Sequence, residues 1–178
     1  MPTEDALRRK LNADGAPEPH YAVVVPLVRE AEGWSLLVEV RAKGIPQAGD
    51  PCFPGGRIEA GETPAMAASR ELEEELALRV PAEEFLGRLT AIRNREGRWI
   101  DAFVCTLTAE EADRARPNPG EVAALLRVPL PWFLARPDAR EFPREGHVIW
   151  GLTAIIIQRF CRLWRQLENE EGSECSAH

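Results

Sequence analysis

The densest chemistry in the chain lies in Arg70-Glu-Leu-Glu-Glu-Glu75. On a helix turning about 100° per residue, with Glu71 at zero, Glu74 falls at roughly 300° and Glu75 at about 40°. These three carboxylates share one face, whereas Glu73, at roughly 200°, points away. Leu72 and Leu76, at roughly 100° and 140°, set an apolar stripe beside the cluster. Like charges three or four residues apart destabilise a bare helix by about a few tenths of a kcal/mol per pair. Half-buried carboxylates about 4 Å apart repel by up to roughly 4 kcal/mol at an effective dielectric of about 20. An arrangement kept against that repulsion calls for a neutralising cation. Oxygen-only donors suit a hard one, Mg2+ or Mn2+, the kind that also holds water and substrate phosphates. The plainer alternative is a solvated acidic face paired with Arg70 and Arg79.

The elements that must position this face are readable nearby. Thr63-Pro64 opens the helix: Thr suits the N-cap, and Pro suits the first helical position, where a missing N–H costs nothing. The helix runs to about Ala77. Upstream, the β-branched run from His20 to Arg29 and the stretch Trp34–Arg41 read as strands around the turn Glu30–Gly33, a hairpin. The Gly- and Pro-rich segment from Lys43 to Gly56 reads as a shaped loop. Phe85–Arg95 and Trp99–Leu107 form two further strands around Asn94–Gly97. Glu121–Val128 is another strand, Pro129–Ala135 a short helix, and Val148 to about Asn169 a long terminal helix or a strand running into one. Residues 1–19 are polar and read as a flexible leader, residues 20–169 as a single domain, and residues 170–178 as a frayed polar tail. Strands with interspersed helices point to an α/β layer fold.

Composition sets the bounds. The 178 residues are 44% apolar and 29% charged, which is ordinary for a globular domain. The formal charge of −7 disfavours a general nucleic-acid binder. The longest apolar stretch, Val148–Ile157, falls short of the ~20 residues of a membrane span. Cys52, Cys105, Cys161 and Cys175 show no C-x-x-C spacing and read as reduced thiols. With no apolar signal core at the amino terminus, a cytoplasmic location is expected. The composition is silent on oligomeric state.

Gly56, Glu62, Arg70, Glu71, Leu72, Glu74, Glu75 and Leu78 stand at the spacing of the Nudix hydrolase signature, Gly-x5-Glu-x7-Arg-Glu-U-x-Glu-Glu-x-Gly-U, where U is aliphatic. Eight of its nine specified positions match. Ala77 replaces the last Gly, a residue that commonly ends such a helix in a left-handed conformation. The chain is thus identified as resembling the Nudix hydrolases. The resemblance implies an α/β/α sandwich with a mixed sheet, and hydrolysis of diphosphate linkages in nucleoside diphosphate derivatives. It implies that Glu71, Glu74 and Glu75 hold divalent metal with the main-chain carbonyl of Gly56. It also implies that Glu74 or Glu71 orients or deprotonates the attacking water, with Glu62 and Arg70 in support.

Three further segments resemble the coenzyme A pyrophosphatase branch. Leu37 and Arg41, then Gly49-x-x-x-Phe53-Pro-Gly-Gly56, are similar to its motif ahead of the signature, although Val38 and Glu39 stand where Leu and Thr are usual. Pro117-Asn-Pro-Gly-Glu121 is similar to its downstream segment and implies a metal-binding or base role for Glu121. Trp150-Gly-Leu-Thr-Ala154 matches a run near its carboxyl end; a packing role at a helix junction is the alternative there. The implied substrate is coenzyme A or acyl-CoA, with Arg41, Phe53, Arg93 and Arg95 as candidate binding residues and Arg98 on the same hairpin tip. Two alternatives stand beside it. One is a Nudix pyrophosphatase acting on a nucleoside diphosphate sugar, dinucleotide or nucleotide; the other is a non-catalytic Nudix domain that binds such a ligand.

Overall fold

The computed structural model describes residues 1–175. In chain order the elements are α1 (Glu4–Lys10), β1 (Pro19–Glu30), β2 (Gly33–Arg41), β3 (Pro51–Cys52), β4 (Gly55–Arg57), α2 (Pro64–Leu76), β5 (Gly87–Arg93), β6 (Trp99–Thr108), α3 (Ala109–Asp113), β7 (Val122–Pro129), α4 (Leu130–Leu134), β8 (Phe142–Arg144), β9 (His147–Ile149) and α5 (Gly151–Cys175). A single 3-10 turn at Ala82–Glu84 precedes β5.

A seven-stranded mixed sheet forms the middle layer, ordered β3-β2-β1-β6-β5, with β4 also on β1 and β7 also on β2. β1 runs parallel to β6 and antiparallel to β2 and β4. β2 from Trp34 to Val40 and the middle of β1, from Val24 to Val28, are covered on both faces and buried without interruption. Successive side chains still alternate in direction. Leu36, Val38 and Val40 of β2 join the core under α5, and Leu37 joins the core under α2. The architecture is the expected α/β/α sandwich.

α2 begins where its sequence says it should. The Thr63 Oγ1 accepts the Met66 N–H at 3.2 Å, and Pro64 follows as the first helical residue. Ala67, Ala68, Leu72 and Leu76 bury the apolar stripe against the sheet. Burying each Leu contributes about 2 kcal/mol, several times the repulsion between two carboxylates one turn apart on an open helix. The stripe therefore holds the acidic face in place. On the opposite side of the sheet, α5 buries Ala154, Ile157, Phe160, Cys161, Trp164 and Leu167 at helical spacing.

Three expectations need revision. Residues 1–19 are not a loose leader: α1 buries Ala6 and Leu7 in the core, and Leu11 follows at 4% exposure. The Asp101 carboxylate holds the segment down, accepting the Ala16 N–H at 3.0 Å while paired with Arg88. The charges of residues 4–10 masked a narrow apolar stripe, Leu7 and Leu11, one turn apart. The Lys43–Gly56 loop carries two short strands, β3 and β4; a strand does run into the terminal helix, as β9, and its hairpin partner β8 went unforeseen. Of the tail expected at 170–178, residues 170–175 continue α5; residues 176–178 lie outside the described residues.

Ala77 ends α2 in the left-handed region, at φ 54° and ψ 28°, with its N–H donating to the Glu73 carbonyl. Gly adopts this conformation at no steric cost, whereas an L-residue pays roughly 1–2 kcal/mol. Ala77 is solvent-exposed, so its methyl group adds little packing. Ala77→Gly is expected to stabilise the fold by about 0.5–1 kcal/mol after the extra chain entropy of Gly, raising Tm by about 1–4 °C. Differential scanning calorimetry of the two proteins checks this; an unchanged or lower Tm contradicts it.

Candidate active site

Arg70 organises the outer half of the acidic face. Its Nε–H donates to Glu62 Oε1 at 2.7 Å, and one Nη2–H donates to Glu62 Oε2 at 3.1 Å. The two Nη1–H groups donate to Glu71 Oε1 at 2.8 Å and Glu74 Oε2 at 3.1 Å. The remaining Nη2–H donates to the Arg57 carbonyl at 3.0 Å. All five guanidinium donors are thereby satisfied. The pairing holds the Glu62 carboxyl below its usual range and pushes the Arg70 guanidinium up. Glu73 turns away and pairs with Arg79, as the helical phasing requires.

The inner half has no such cation. Glu75 is buried, and its Oε2 accepts the Gly55 N–H at 2.9 Å. Burial pushes its carboxyl well above the usual range, and repulsion from Glu39, Glu71 and Glu121 adds to the rise. The Glu71 carboxyl is also raised, first by burial and then by Glu74 and Glu121, against the pull of Arg70.

Backbone geometry brings these groups together. β4 pairs with β1 so that Gly56 sits opposite Ala22 and Gly55 opposite Val23. A Cβ at Gly56 would overlap the Glu71 carboxylate, and one at Gly55 would overlap the backbone of β1. The glycines therefore admit the close approach of main chain to carboxylates. Glu121 arrives by another route. The Arg116 and Asn118 N–H groups donate to the Leu76 and Glu75 carbonyls, both at 2.7 Å, satisfying acceptors that the end of α2 leaves open. That turn swings Glu121 toward α2, where Asn118 Nδ2–H donates to its Oε2 at 3.0 Å.

Glu39 is the member that reading the sequence missed as a site residue. It extends from β2 on the same face as Leu37, only 1% exposed, between Cys52 of β3 and Leu125 of β7. Its Oε1 accepts from the Cys52 Sγ–H at 3.3 Å. Burial raises its carboxyl well above the usual range, with Glu121 and Glu71 pushing the same way and Arg41 opposing. The available signal was a charge inside an otherwise apolar central strand, Leu36-Leu-Val-Glu-Val40.

Among the described residues, no three carboxylate, imidazole or thiol groups stand ready to enclose a metal ion. Arg70 occupies Glu71 and Glu74 instead. The donors nevertheless fit a hard divalent cation: they are all oxygens, and Gly56 leaves its backbone open beside Glu71.

The candidate binding residues separate. Arg41 and Arg95 line one cavity of about 290 Å³ together with Cys52, Asn94 and Trp150. Arg41 is steadied by Nε–H donation to the Pro46 carbonyl at 2.8 Å. A second cavity of about 510 Å³ shares Arg95, Trp150 and Gly151 and reaches Arg140 and Arg162. Phe53, in contrast, is 3% exposed and lies in the core under α5, not in a cavity wall. Arg93 stacks on the Trp99 ring at 4.5 Å, and Arg98 donates to the Tyr21 hydroxyl at 2.9 Å; neither lines either cavity.

Comparison with known proteins agrees with this fold. Proteins of Escherichia coli, described as the uncharacterized Nudix hydrolase NudL, are 29% identical over 167 residues, covering 85% of this chain and 86% of theirs. The NUDIX domain of Shewanella oneidensis NrtR, complexed with ADP ribose, superposes with a TM-score of 0.61 at 16% identity, covering 91% of this chain and 98% of that one. An Ap4A hydrolase of C. elegans gives 0.57 at 15% identity, covering 82% and 98%. The NUDIX-domain family model matches residues 18–146, most of the chain and all the carboxylates described above, and the chain therefore belongs to the Nudix family.

Proposed function

We propose that this Nudix pyrophosphohydrolase cleaves the diphosphate linkage of coenzyme A or acyl-CoA with Mg2+ or Mn2+. Water and substrate give 4′-phosphopantetheine, acylated or not, and adenosine 3′,5′-bisphosphate. The observation that carries the reading is the junction of an acidic cluster with a cavity where Arg41 and Arg95 stand among Asp50 and Glu96. Cys52 touches Glu39 on one side and lines the cavity of Arg41 and Arg95 on the other. Arg95, Trp150 and Gly151 line both that cavity and the larger one. Such a pair of cavities suits a long substrate carrying phosphate on both sides of the bond to be cut.

Glu71, Glu74, Glu75 and Glu121, with the Gly56 carbonyl, would hold the cation. When bound, it withdraws charge from the phosphoryl oxygens and brings the pKa of a water toward neutrality. Glu74 or Glu71 orients the attacking water or takes its proton, while Arg70 and Glu62 hold these carboxylates in position. Arg41 and Arg95 bind the 3′-phosphate through charge-assisted hydrogen bonds. In-line displacement at phosphorus asks little more than position and charge stabilisation. The substrate is a small nucleotide derivative; no nucleic acid or membrane takes part. Among the described residues no helix is long and apolar enough to cross a membrane. Cys52, Cys105 and Cys161 are free thiols, which supports a cytoplasmic setting.

Chelation should abolish turnover, and Mg2+ or Mn2+ should restore it. The same metal-free protein should show a pH signature. Glu39 and Glu75 hold protons more tightly folded than unfolded, so folding is favoured while they are protonated. Their stabilising protonation is complete below the ordinary carboxylate pKa and is lost as pH rises through the elevated folded values. In chelator, Tm should fall between about pH 5 and pH 9, with a flatter profile for Glu75→Gln. The Tm gain from added Mg2+ should be larger at the alkaline end. A flat wild-type profile contradicts this.

Glu74→Gln and Glu75→Gln keep size and remove charge. Each should lower kcat by at least ~100-fold, in the range of positioned electrostatic or acid–base groups. Glu73→Gln should stay within a few-fold, and equal losses at all three positions contradict the assignment.

Substrate identity is tested by comparing CoA, dephospho-CoA, ADP-ribose and Ap4A, with products separated by chromatography. CoA should give the highest kcat/KM. Arg41→Ala should shrink its advantage over dephospho-CoA by about tenfold, the equivalent of about 1.4 kcal/mol. ADP-ribose or Ap4A cleaved far faster than CoA overturns the coenzyme A assignment and leaves the pyrophosphohydrolase standing.

A further inference from the structure

Glu39 is a buried carboxylate with one oxygen unaccounted for. Oε1 accepts from Cys52, but Oε2 is fully buried and has no hydrogen-bond partner. A structural glutamic acid kept neutral in a core points its O–H at an acceptor, and a structural glutamate collects donors. Glu39 does neither. The groups that act on it electrostatically are Arg41, Glu71 and Glu121, and it is itself the strongest charge acting on Glu75. The Arg41 Nε–H is committed to the Pro46 carbonyl. The carboxylates around it add acceptors and no donor, so what the position lacks is a cation.

Its placement in the fold points the same way. Strand alternation puts Glu39 on the face of the sheet that α2 covers, one step beyond Leu37. Cys52 and Leu125 flank it in the neighbouring strands, so it rises from the floor of the acidic cluster rather than from its rim. The resemblance does not supply this residue; Thr is usual there.

We propose that Glu39 is a further ligand of the divalent cation, reaching it from the sheet while Glu71, Glu74 and Glu75 reach it from α2. The inference rests on the proposal that this cluster holds the cation. The added negative ligand raises the affinity of the site for a hard cation. Its cost is borne by the metal-free protein, which keeps an unpaired carboxylate buried.

The test is Mn2+ titration of the full chain by isothermal calorimetry at pH 8, without substrate, for wild type, Glu39→Gln and Glu75→Gln, with Tm measured in chelator and in Mn2+. Glu39→Gln should weaken Mn2+ binding at least tenfold or remove one bound ion. In chelator its Tm should equal or exceed that of wild type, because a buried charge is gone, and its Tm gain from Mn2+ should be smaller. Wild-type affinity and stoichiometry in Glu39→Gln overturn the proposal. If Glu75→Gln loses Mn2+ while Glu39→Gln keeps it, only this inference fails; if wild type binds no Mn2+, the metal-dependent function fails with it. Should the Gln variant not fold, Glu39→Thr, smaller and suited to a strand, is judged by the same criteria.

Discussion

The five donors of Arg70 are the interaction on which the acidic face depends. One guanidinium joins Glu62, Glu71, Glu74 and the Arg57 carbonyl, and so ties the loop ahead of α2 to the helix itself. Lys could not do this: its three donors radiate from one point, whereas the guanidinium fork meets two carboxylate oxygens of Glu62 at once. The balance also has a limit. Arg70 neutralises the outer carboxylates and pairs with neither Glu75 nor Glu39 beneath them. The site is thus divided into a rim that is satisfied by protein and a floor that is not.

The rest of the fold serves this division. Leu72 and Leu76 press α2 onto the sheet, which forces Glu75 inward with them, because residues three and four apart share a helix face. The open carbonyls at the end of α2 recruit the Arg116 and Asn118 N–H groups, and that capping delivers Glu121. Gly55 and Gly56 let β4 lie against β1 and under the carboxylates without a side chain in the way. Each device answers a local need, such as a buried stripe, a capped helix end or a tight strand pairing. The acidic cluster is their joint product.

Much of this was legible in the sequence. The period of α2, its Thr63-Pro64 start and its phasing of Glu71, Glu74 and Glu75 against Glu73 follow from residue spacing, and an α/β layer fold from the run of strands and helices; the order of the layers came with the Nudix resemblance. What escaped depends on long-range contact. α1 is a two-residue apolar stripe among charges, and it is a helix because α5 and the Arg88–Asp101 pair receive it. β3 and β4 are two and three residues long, so only their partners on β2 and β1 make them strands. Phe53 looked equally suited to a pocket wall or the core, and only the packing places it in the core. Glu39 reads as a break in an apolar strand, and its meaning emerges only when β2 is laid beneath α2.

The charge distribution bears on how such a site can take its substrate. A chain of net charge −7, with carboxylates crowded at one end of the site, repels a diphosphate. On the proposed function the attraction would come from Arg41 and Arg95, and from Arg140 and Arg162 of the second cavity, which stand among Asp50, Glu96, Asp138 and Glu141. Binding energy gathered there, away from the bond that breaks, would offset the work of bringing phosphate toward glutamate, so that remote contacts would contribute to turnover rather than to affinity alone. The arrangement ties cation to substrate. Without the cation, the arginines would hold an anion whose diphosphate faces like charge; with it, the two ends would pull together. Discrimination among diphosphates then rests on the arginine end, because the acidic end meets the same linkage in every substrate.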